Sequence, residues 1–180
     1  MLFRSLLRIA EIEAGSRRSS FARLDLVPLL TEVADLYGPV AEERGIALQL
    51  EMPDGLPAYG DKAMIQQAIA NLVDNAVKFS PDGGTVRLTA SVSTMVFVAV
   101  SDQGPGIPLA ERERATDRFY RGEAARSTPG SGLGLSLVLA VAYLHGGEFR
   151  LEDNRPGLRA ILVLPLPEEA ETRPVPKRPV

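Results

Sequence analysis

A polar stripe on one predicted helix is the first feature that could carry chemistry. The segment DKAMIQQAIANLVDNAVKFS has its apolar residues at the i, i+3, i+4 spacing of a buried helical face. A second side of that helix carries Gln67, Asn71, Asp74, Asn75 and Lys78. Amide oxygens suit Mg²⁺, and lysine supplies a point charge for phosphate, so the stripe predicts a site for an anion and a hard cation. An ordinary solvated helix face is the alternative interpretation, although asparagine is a poor helix former.

The segment DQGPGIP, residues 102–108, directly follows a predicted strand. Its glycines, Gly104 and Gly106, allow the backbone to approach a ligand closely. Asp102 lies at the strand end, where its carboxylate could accept a hydrogen bond from an exocyclic amine. A plain surface turn explains the same composition.

A second glycine-rich segment, GSGLGL, opens the last long predicted helix with Gly130, Gly132 and Gly134. Backbone N–H groups at a helix start form a phosphate site. The spacing matches neither the Rossmann fingerprint nor Walker A, and the protein-kinase motifs are missing. A nucleotide bound here would therefore use a different cradle.

The long stretch between residues 102 and 132 has little apolar periodicity, which is typical of a functional or mobile loop. It contains the sequence RFYR at residues 118–121. RFYR could be a small amphipathic patch that docks the loop. Alternatively, Arg121 or the nearby Arg126 could bind a terminal phosphate.

The composition excludes several classes of protein. The 180 residues include no cysteine and a single histidine (His145), and their formal net charge is −3. Disulfides, zinc-thiolate sites, thiol nucleophiles and multi-histidine metal sites are excluded, and a basic footprint for nucleic acid is missing. Charged residues interrupt the apolar N-terminal stretch, so it resembles neither a signal peptide nor a membrane span. We expect a cytosolic polypeptide with one domain.

The periodicities predict an α+β fold. Helices are predicted over residues 2–14, 28–45, 61–79 and 133–145, with Asp61 as an N-cap. Strands are predicted at residues 24–26, 46–52, 85–90, 95–100, 148–152 and 158–164. Residues 53–60 are expected to form a turn-rich loop, and the proline-rich tail from Pro167 is expected to be disordered. The simplest arrangement is one mixed sheet with helices on one face.

Together these segments resemble the catalytic, ATP-binding domain of bacterial sensor histidine kinases, whose superfamily includes gyrase, ninety-kilodalton heat-shock chaperones and mismatch-repair ATPases. Four motifs occur in the order of that family, and they are the N box NLVDNAVKFSP (71–81), the G1 box DQGPGI (102–107), the F box DRFYR (117–121) and the G2 box GSGLGL (130–135). The resemblance covers about residues 24–166. It implies a Bergerat-type two-layer sandwich, with about five strands covered by three helices, at residues 23–166. Residues 1–22 would be the end of a dimerisation helix and a linker, and residues 167–180 a tail.

The resemblance also implies roles at the matching positions, with ATP and Mg²⁺ as ligands. Asp102 would bind the adenine amino group, Asn75 and Asn71 would hold Mg²⁺, and Lys78 would contact phosphate. Residues 109–131 would form the ATP lid, with Phe119 as its anchor and Arg121 near the terminal phosphate. The implied catalytic residues are Asn71, Lys78 and Arg121. The implied nucleotide-binding set is Asn71, Asn75, Lys78, Asp102, Gly104, Gly106, Ile107, Phe119, Gly130, Gly132, Leu133 and Gly134.

The implied function is donation of the γ-phosphoryl group of ATP to a histidine of a dimerisation domain, upstream of a response regulator. No nucleic acid and no direct membrane contact are implied, although the parent kinase would be anchored in the bacterial inner membrane. Asn71 stands where the ATPase branches carry a glutamate, and an amide cannot act as a general base. The alternatives are an ATPase or serine kinase of the same superfamily and a degenerate, non-catalytic interaction module.

The sequence departs from the family because it contains no acceptor-histidine motif. His145 lies in YLHGG at the end of a predicted helix, and we predict a capping or packing role for it. Residues 1–15 resemble the end of a second dimerisation helix, so we expect a truncated kinase. The apolar stripe of residues 1–15 could drive self-association or contact the lid.

Overall fold

The computed structural model of the chain describes residues 20–122 and 130–172. The predicted helix over residues 2–14, Arg126 and part of the predicted lid lie outside the described residues. The elements are, in chain order, β1 (Ala22–Asp25), α1 (Leu26–Glu42), β2 (Ala47–Glu51), β3 (Pro57–Gly60), α2 (Lys62–Phe79), β4 (Thr85–Val92), β5 (Met95–Ser101), two 3₁₀ turns (Leu109–Glu111 and Arg114–Thr116), α3 (Gly134–Leu144), β6 (Glu148–Asp153), β7 (Leu158–Pro165) and α4 (Pro167–Thr172).

Five strands form one mixed sheet in the order β2-β4-β5-β7-β6. The pair β2–β4 is parallel, and the other three pairs are antiparallel. Buried residues of α1, α2 and α3 form one core with every second residue of the central strands, such as Leu88 and its cross-strand partner Val100. The prediction of a mixed sheet with helices on one face is therefore confirmed.

Helix α2 has one apolar face and one polar face, and burial of the apolar face orients the polar stripe. Asp61 caps the helix as predicted, since its carboxylate accepts a hydrogen bond from the N–H of Met64 at 3.0 Å. Eight apolar residues of α2 are buried against the core: Met64, Ile65, Ala68, Ile69, Leu72, Val73, Ala76 and Val77. Packing of that face directs Asn71, Asn75 and Lys78 away from the core.

Two predictions for the connecting segments were wrong. The expected loop at residues 53–60 contains β3, which pairs antiparallel with β1. A four-residue strand that begins with proline and ends with glycine has no recognisable period, so its partner decides its conformation. The expected disorder from Pro167 is replaced by α4 up to Thr172, where Ala170 is buried and Glu171 pairs with Arg23 at 2.6 Å.

Within the part of the chain that the structure describes, no helix has the length and apolar character to cross a membrane.

Candidate functional site

A cavity of about 850 Å³ lies between α2, the segment after β5 and the start of α3. It brings together residues from all four sequence motifs. The predicted site residues that line it are Asn71, Asn75, Lys78, Asp102, Gly106, Ile107, Arg121, Gly130, Gly132 and Gly134. Gly104, Phe119 and Leu133 do not line it. Segments far apart in the sequence therefore converge on one concave site, as expected of a ligand pocket.

The first group of lining residues, which we call the apolar end, combines a carboxylate with apolar side chains. Asp102 follows β5 directly and is only 6% exposed. Its Oδ1 accepts hydrogen bonds from the N–H of Gly104 at 2.8 Å and of Leu158 at 3.2 Å. Burial raises the pKa of Asp102, and these two hydrogen bonds oppose that rise. The apolar residues lining the cavity include Val100, Ile107, Leu158 and Ala160. This end suits a flat apolar group that bears a hydrogen-bond donor.

The second group of lining residues, which we call the polar end, consists of Asn71, Asn75, Lys78 and the start of α3. Asn71 and Asn75 face the first residue of α3, where a Cβ on Gly134 would lie 3.5 Å from Nδ2 of Asn75. Lys78 lies one turn further along α2, with its Nζ 3.6 Å from the carboxylate of Asp74. The N–H groups of the first turn of a helix have no intrahelical partners, and Gly132, Gly134 and Leu135 at the start of α3 line the cavity. The polar end therefore offers amide oxygens, a cation and main-chain donors to an anion.

Gly132 joins the F box to the start of α3. Its φ is +69°, and a Cβ there would lie 2.8 Å from the carbonyl carbon of Phe119. The carbonyl of Gly132 accepts a hydrogen bond from the N–H of Phe119 at 3.0 Å. Phe119 thus holds this segment through its main chain, whereas its ring is 54% exposed. Leu133 is buried in the core, and Gly104 forms the turn that supports Asp102.

Three residues within the predicted lid, Glu111, Arg114 and Tyr120, were given no individual role by the sequence. Tyr120 lines the cavity and donates a hydrogen bond to Glu111 at 2.8 Å, and the guanidinium of Arg114 lies 4.8 Å from the centre of its ring. The hydrogen bond from Tyr120 to Glu111 thus links the F box to the first 3₁₀ turn. Of these residues only Tyr120 belongs to a sequence motif, and nothing in the sequence identified its partners.

Arg44, in the loop after α1, binds the C-terminal end of α2. Its guanidinium donates to the carbonyl of Val77 at 2.5 Å and of Ser80 at 2.9 Å, and it pairs with Asp82 at 2.7 Å. The last carbonyls of a helix need such partners. Arg44 therefore stabilises the turn that carries Lys78.

His145 has a structural environment, in agreement with the predicted packing role. It is 3% exposed, and its ring stacks on Phe21 with centroids 4.6 Å apart. Its Nε2 accepts a hydrogen bond from the N–H of Asp61 at 3.1 Å, and its Nδ1 donates to the carbonyl of Val141 at 2.7 Å. Both ring nitrogens are thus engaged inside the fold, at the C-terminal end of α3.

Sequence comparison links the chain to a known family. The family model described as histidine kinase-, DNA gyrase B-, and HSP90-like ATPase matches residues 60–168. The signal transduction histidine-protein kinase/phosphatase MprB of Mycobacterium sp. (strain KMS) is 53% identical over 105 residues, which cover 57% of this chain and 20% of the relative. The matched region thus spans about a fifth of the length of that curated relative.

Structural comparison gives the same result. A structure of the mycobacterial sensor histidine kinase MprB superposes with a TM-score of 0.74 and 32% identity, over 81% of this chain and 98% of that chain. The full-length structure of ShkA in complex with AMPPNP superposes with a TM-score of 0.79 and 30% identity, over 90% of this chain and 34% of that chain.

Proposed function

The chain belongs to the histidine kinase-, DNA gyrase B-, and HSP90-like ATPase family, and from this premise we propose a specific reaction for it. It binds Mg·ATP and donates the γ-phosphoryl group to a histidine outside this sequence. The observation that supports this proposal is the set of residues that line the cavity. The apolar end combines a carboxylate with apolar side chains, and the polar end combines two amides, a lysine and the start of α3.

The apolar end is the proposed adenine site. The hydrogen bonds that the N–H groups of Gly104 and Leu158 donate to the carboxylate of Asp102 both end on Oδ1, so Oδ2 is the oxygen proposed to bind a ligand. A carboxylate oxygen accepts a hydrogen bond from an amino group but repels a carbonyl oxygen. We therefore expect the adenine 6-amino group to be preferred over the 6-oxo group of guanine.

The polar end is the proposed triphosphate site. Mg²⁺ prefers oxygen ligands and is commonly held by one or two protein groups together with phosphates and water. The side-chain oxygens of Asn71 and Asn75 fit such a donor set. No cluster of three or more acidic, histidine or cysteine residues among the described residues would form a separate protein cage. Bound Mg²⁺ would neutralise phosphate charge, and Lys78 and the start of α3 would orient the phosphates.

The acceptor histidine must be supplied from outside this sequence. The single histidine, His145, is buried, and its ring nitrogens bind Asp61 and Val141. In the proposed transfer, the bond from the γ-phosphorus to the β–γ bridging oxygen breaks. A phosphorus–nitrogen bond forms on an external imidazole, and ADP is released. By analogy with sensor kinases, we propose a dimerisation domain as the donor of that imidazole, a response regulator as the next acceptor, and a cytoplasmic setting in a membrane-anchored parent.

The residue one helical turn before Asn75 favours phosphoryl transfer over hydrolysis of ATP. That residue is Asn71, whose neutral amide cannot remove a proton from water. The nearby carboxylate of Asp74 is paired with Lys78. The isolated chain is therefore expected to hold ATP with little turnover.

Two lysines of α2 allow a matched test of this function. Lys78 lines the cavity, whereas Lys62 pairs with Glu32 on the surface. Calorimetry should detect Mg·ATP binding to the wild type and to Lys62→Gln, and binding at least about tenfold weaker to Lys78→Gln, which loses a charge-assisted contact. With γ-labelled ATP, acid-labile label should appear on an added dimerisation domain that carries a histidine, and not on this chain.

Two results would overturn the proposal. The first is a folded wild type that binds no Mg·ATP, and the second is stable label on this chain that disappears on changing His145. Rapid release of inorganic phosphate without an acceptor would support an ATPase instead.

A further inference from the structure

The turn between β6 and β7, taken with the strand residue on either side of it (residues 153–158), contacts the proposed base-binding aspartate. Nδ2 of Asn154 donates a hydrogen bond to the main-chain carbonyl of Asp102 at 2.7 Å. The N–H of Leu158 donates to Oδ1 of Asp102, and the N–H of Asp102 donates to the carbonyl of Leu158 at 2.9 Å. The carbonyl, the amide and the carboxylate of Asp102 are therefore all bound by one short segment.

Gly157 lets this turn approach Asp102 so closely. Its φ is +108°, and a Cβ at this position would overlap the carbonyl oxygen of Asp102. The carbonyl of Gly157 in turn lies 2.9 Å from the position of a Cβ on Gly106, which lines the cavity. The turn therefore packs directly on the backbone on both sides of the G1 segment.

Arg112 ties the same turn to the wall of the cavity. Its Nε donates to the carbonyl of Ile107 at 3.0 Å, and its guanidinium pairs with Asp153 at 2.6 Å. The Arg112 side chain is only 17% exposed, which limits its freedom. Ile107 lines the cavity, so the turn is connected both to the carboxylate of Asp102 and to a second lining residue.

Asn154 is the part of this arrangement that mutation can remove selectively. Its contact to Asp102 is made by a side chain, whereas the contacts of Leu158 are made by the main chain. Asn154 itself is exposed, so a substitution leaves the core unchanged. The carbonyl that it binds belongs to a residue that is almost fully buried, and a buried carbonyl without its partner is costly. Removal of the side-chain amide of Asn154 should therefore shift the backbone of Asp102.

We propose that Asn154 is a positioning residue that sets the selectivity of the site for a purine with an exocyclic amino group. It acts by fixing the main chain of Asp102, so that Oδ2 faces that amino group. The inference rests on the proposed function, because it takes ATP as the ligand of the cavity. It adds a residue that belongs to none of the four sequence motifs.

The test compares two ligands that differ only in the amino group. ATP and the triphosphate of purine riboside, which lacks the 6-amino group, are titrated with Mg²⁺ into the wild type, Asn154→Ala and Asn154→Ser. The matched control is Arg155→Gln, which changes a neighbouring exposed side chain of the same turn. The melting temperature of each variant without nucleotide reports its folding.

The wild type should prefer ATP by about 10- to 100-fold, the value of a hydrogen bond to a charged group. Asn154→Ala should bind ATP about three- to tenfold more weakly and the analogue within about twofold of the wild type, which corresponds to one neutral hydrogen bond acting through Asp102. The affinity of Asn154→Ser for ATP should lie between those of the wild type and Asn154→Ala. Arg155→Gln should bind both ligands as the wild type does.

If Asn154→Ala lowers the affinities for ATP and for the analogue by the same factor, Asn154 supports the fold only. If neither affinity changes in the folded Asn154 variants, the contact to Asp102 is dispensable. Either result overturns the inference but leaves the proposed function standing. If the wild type binds ATP without preferring it over the analogue, the assignment of the base site is also wrong. If the wild type binds neither ligand, the proposed function itself fails.

Discussion

Replacement of Asp102 by asparagine separates what this residue does for the fold from what it does for a ligand. The two side chains have the same shape, so Oδ1 of the new amide can keep the hydrogen bonds from Gly104 and Leu158. The amide NH₂ then occupies the position of Oδ2. A donor would face the amino group of adenine, where the wild type presents an acceptor.

The expected loss of binding follows from that change. A hydrogen bond to a charged group contributes about 2 kcal/mol, which corresponds to roughly a 30-fold change in affinity. The apposition of two donors adds to this loss, so the figure is a lower bound. The folded protein without nucleotide should lose nothing, because burial raises the pKa of Asp102 and its charged form is disfavoured. We expect the melting temperature of nucleotide-free Asp102→Asn to equal or exceed that of the wild type.

Thermal unfolding with and without Mg·ATP measures both effects. At about 100 times the wild-type Kd, ATP stabilises the wild type by about 2.7 kcal/mol. The same concentration stabilises a variant with 30-fold weaker binding by about 0.9 kcal/mol. For a domain of this size, these energies correspond to shifts of about 8 °C and about 3 °C.

Two outcomes would refute the reasoning. An equal ATP-dependent shift in both proteins would show that Asp102 does not contact the ligand. A large fall in the melting temperature of the nucleotide-free variant would show that the carboxylate is needed for folding. Asp54→Asn is a suitable control, since it changes an exposed carboxylate outside the cavity.

Three further predictions concern pH, the backbone and the end of α2. Because the pKa of Asp102 is raised in the folded state, the stability of the wild type relative to Asp102→Asn should be greatest at low pH and should fall as the pH rises through the folded-state pKa. Melting temperatures compared from about pH 4 to about pH 8 measure this, and a difference that does not change with pH would contradict it. Gly132→Ala should destabilise the fold by about 1–3 kcal/mol in urea and weaken ATP binding, because a Cβ would meet Phe119 at a positive φ; unchanged unfolding would count against the strained turn. Arg44→Ala should cost about 1–2 kcal/mol through the loss of its contacts to the carbonyls of Val77 and Ser80, and a variant as stable as the wild type would show that water replaces them.

The parts of the molecule that were predictable have a strong local signal. Helix α2 combines an N-cap at Asp61 with a continuous apolar face, and its predicted end at Phe79 is the observed one. The strands predicted at residues 85–90 and 95–100 are observed as Thr85–Val92 and Met95–Ser101, which pair antiparallel. The polar stripe was also predictable, because burial of one helix face determines the direction of the other.

The parts that were missed depend on contacts between distant residues. Asn154 meets Asp102 across 52 positions, and Arg112 meets Asp153 across 41. An asparagine in a turn, or an arginine in a loop, has many ordinary explanations and no spacing that identifies its partner. The helix at Pro167–Thr172 was missed for a related reason, since composition favours disorder there and only the contacts of Ala170 and Glu171 oppose it.

Two buried polar residues, Asp102 and His145, show how hydrogen bonding separates a ligand site from a structural one. Both ring nitrogens of His145 bind main-chain groups, so the fold itself accounts for the burial of this residue. Asp102 is different, because its recorded partners occupy one oxygen and the described residues form no salt bridge with it. A buried carboxylate without a cationic partner lowers the stability of the fold, and its apolar neighbours would pack equally well around an uncharged side chain. The fold therefore does not require the charge, whereas a ligand with an amino group benefits from an unoccupied acceptor oxygen, and this difference supports the role proposed for Asp102 in base recognition.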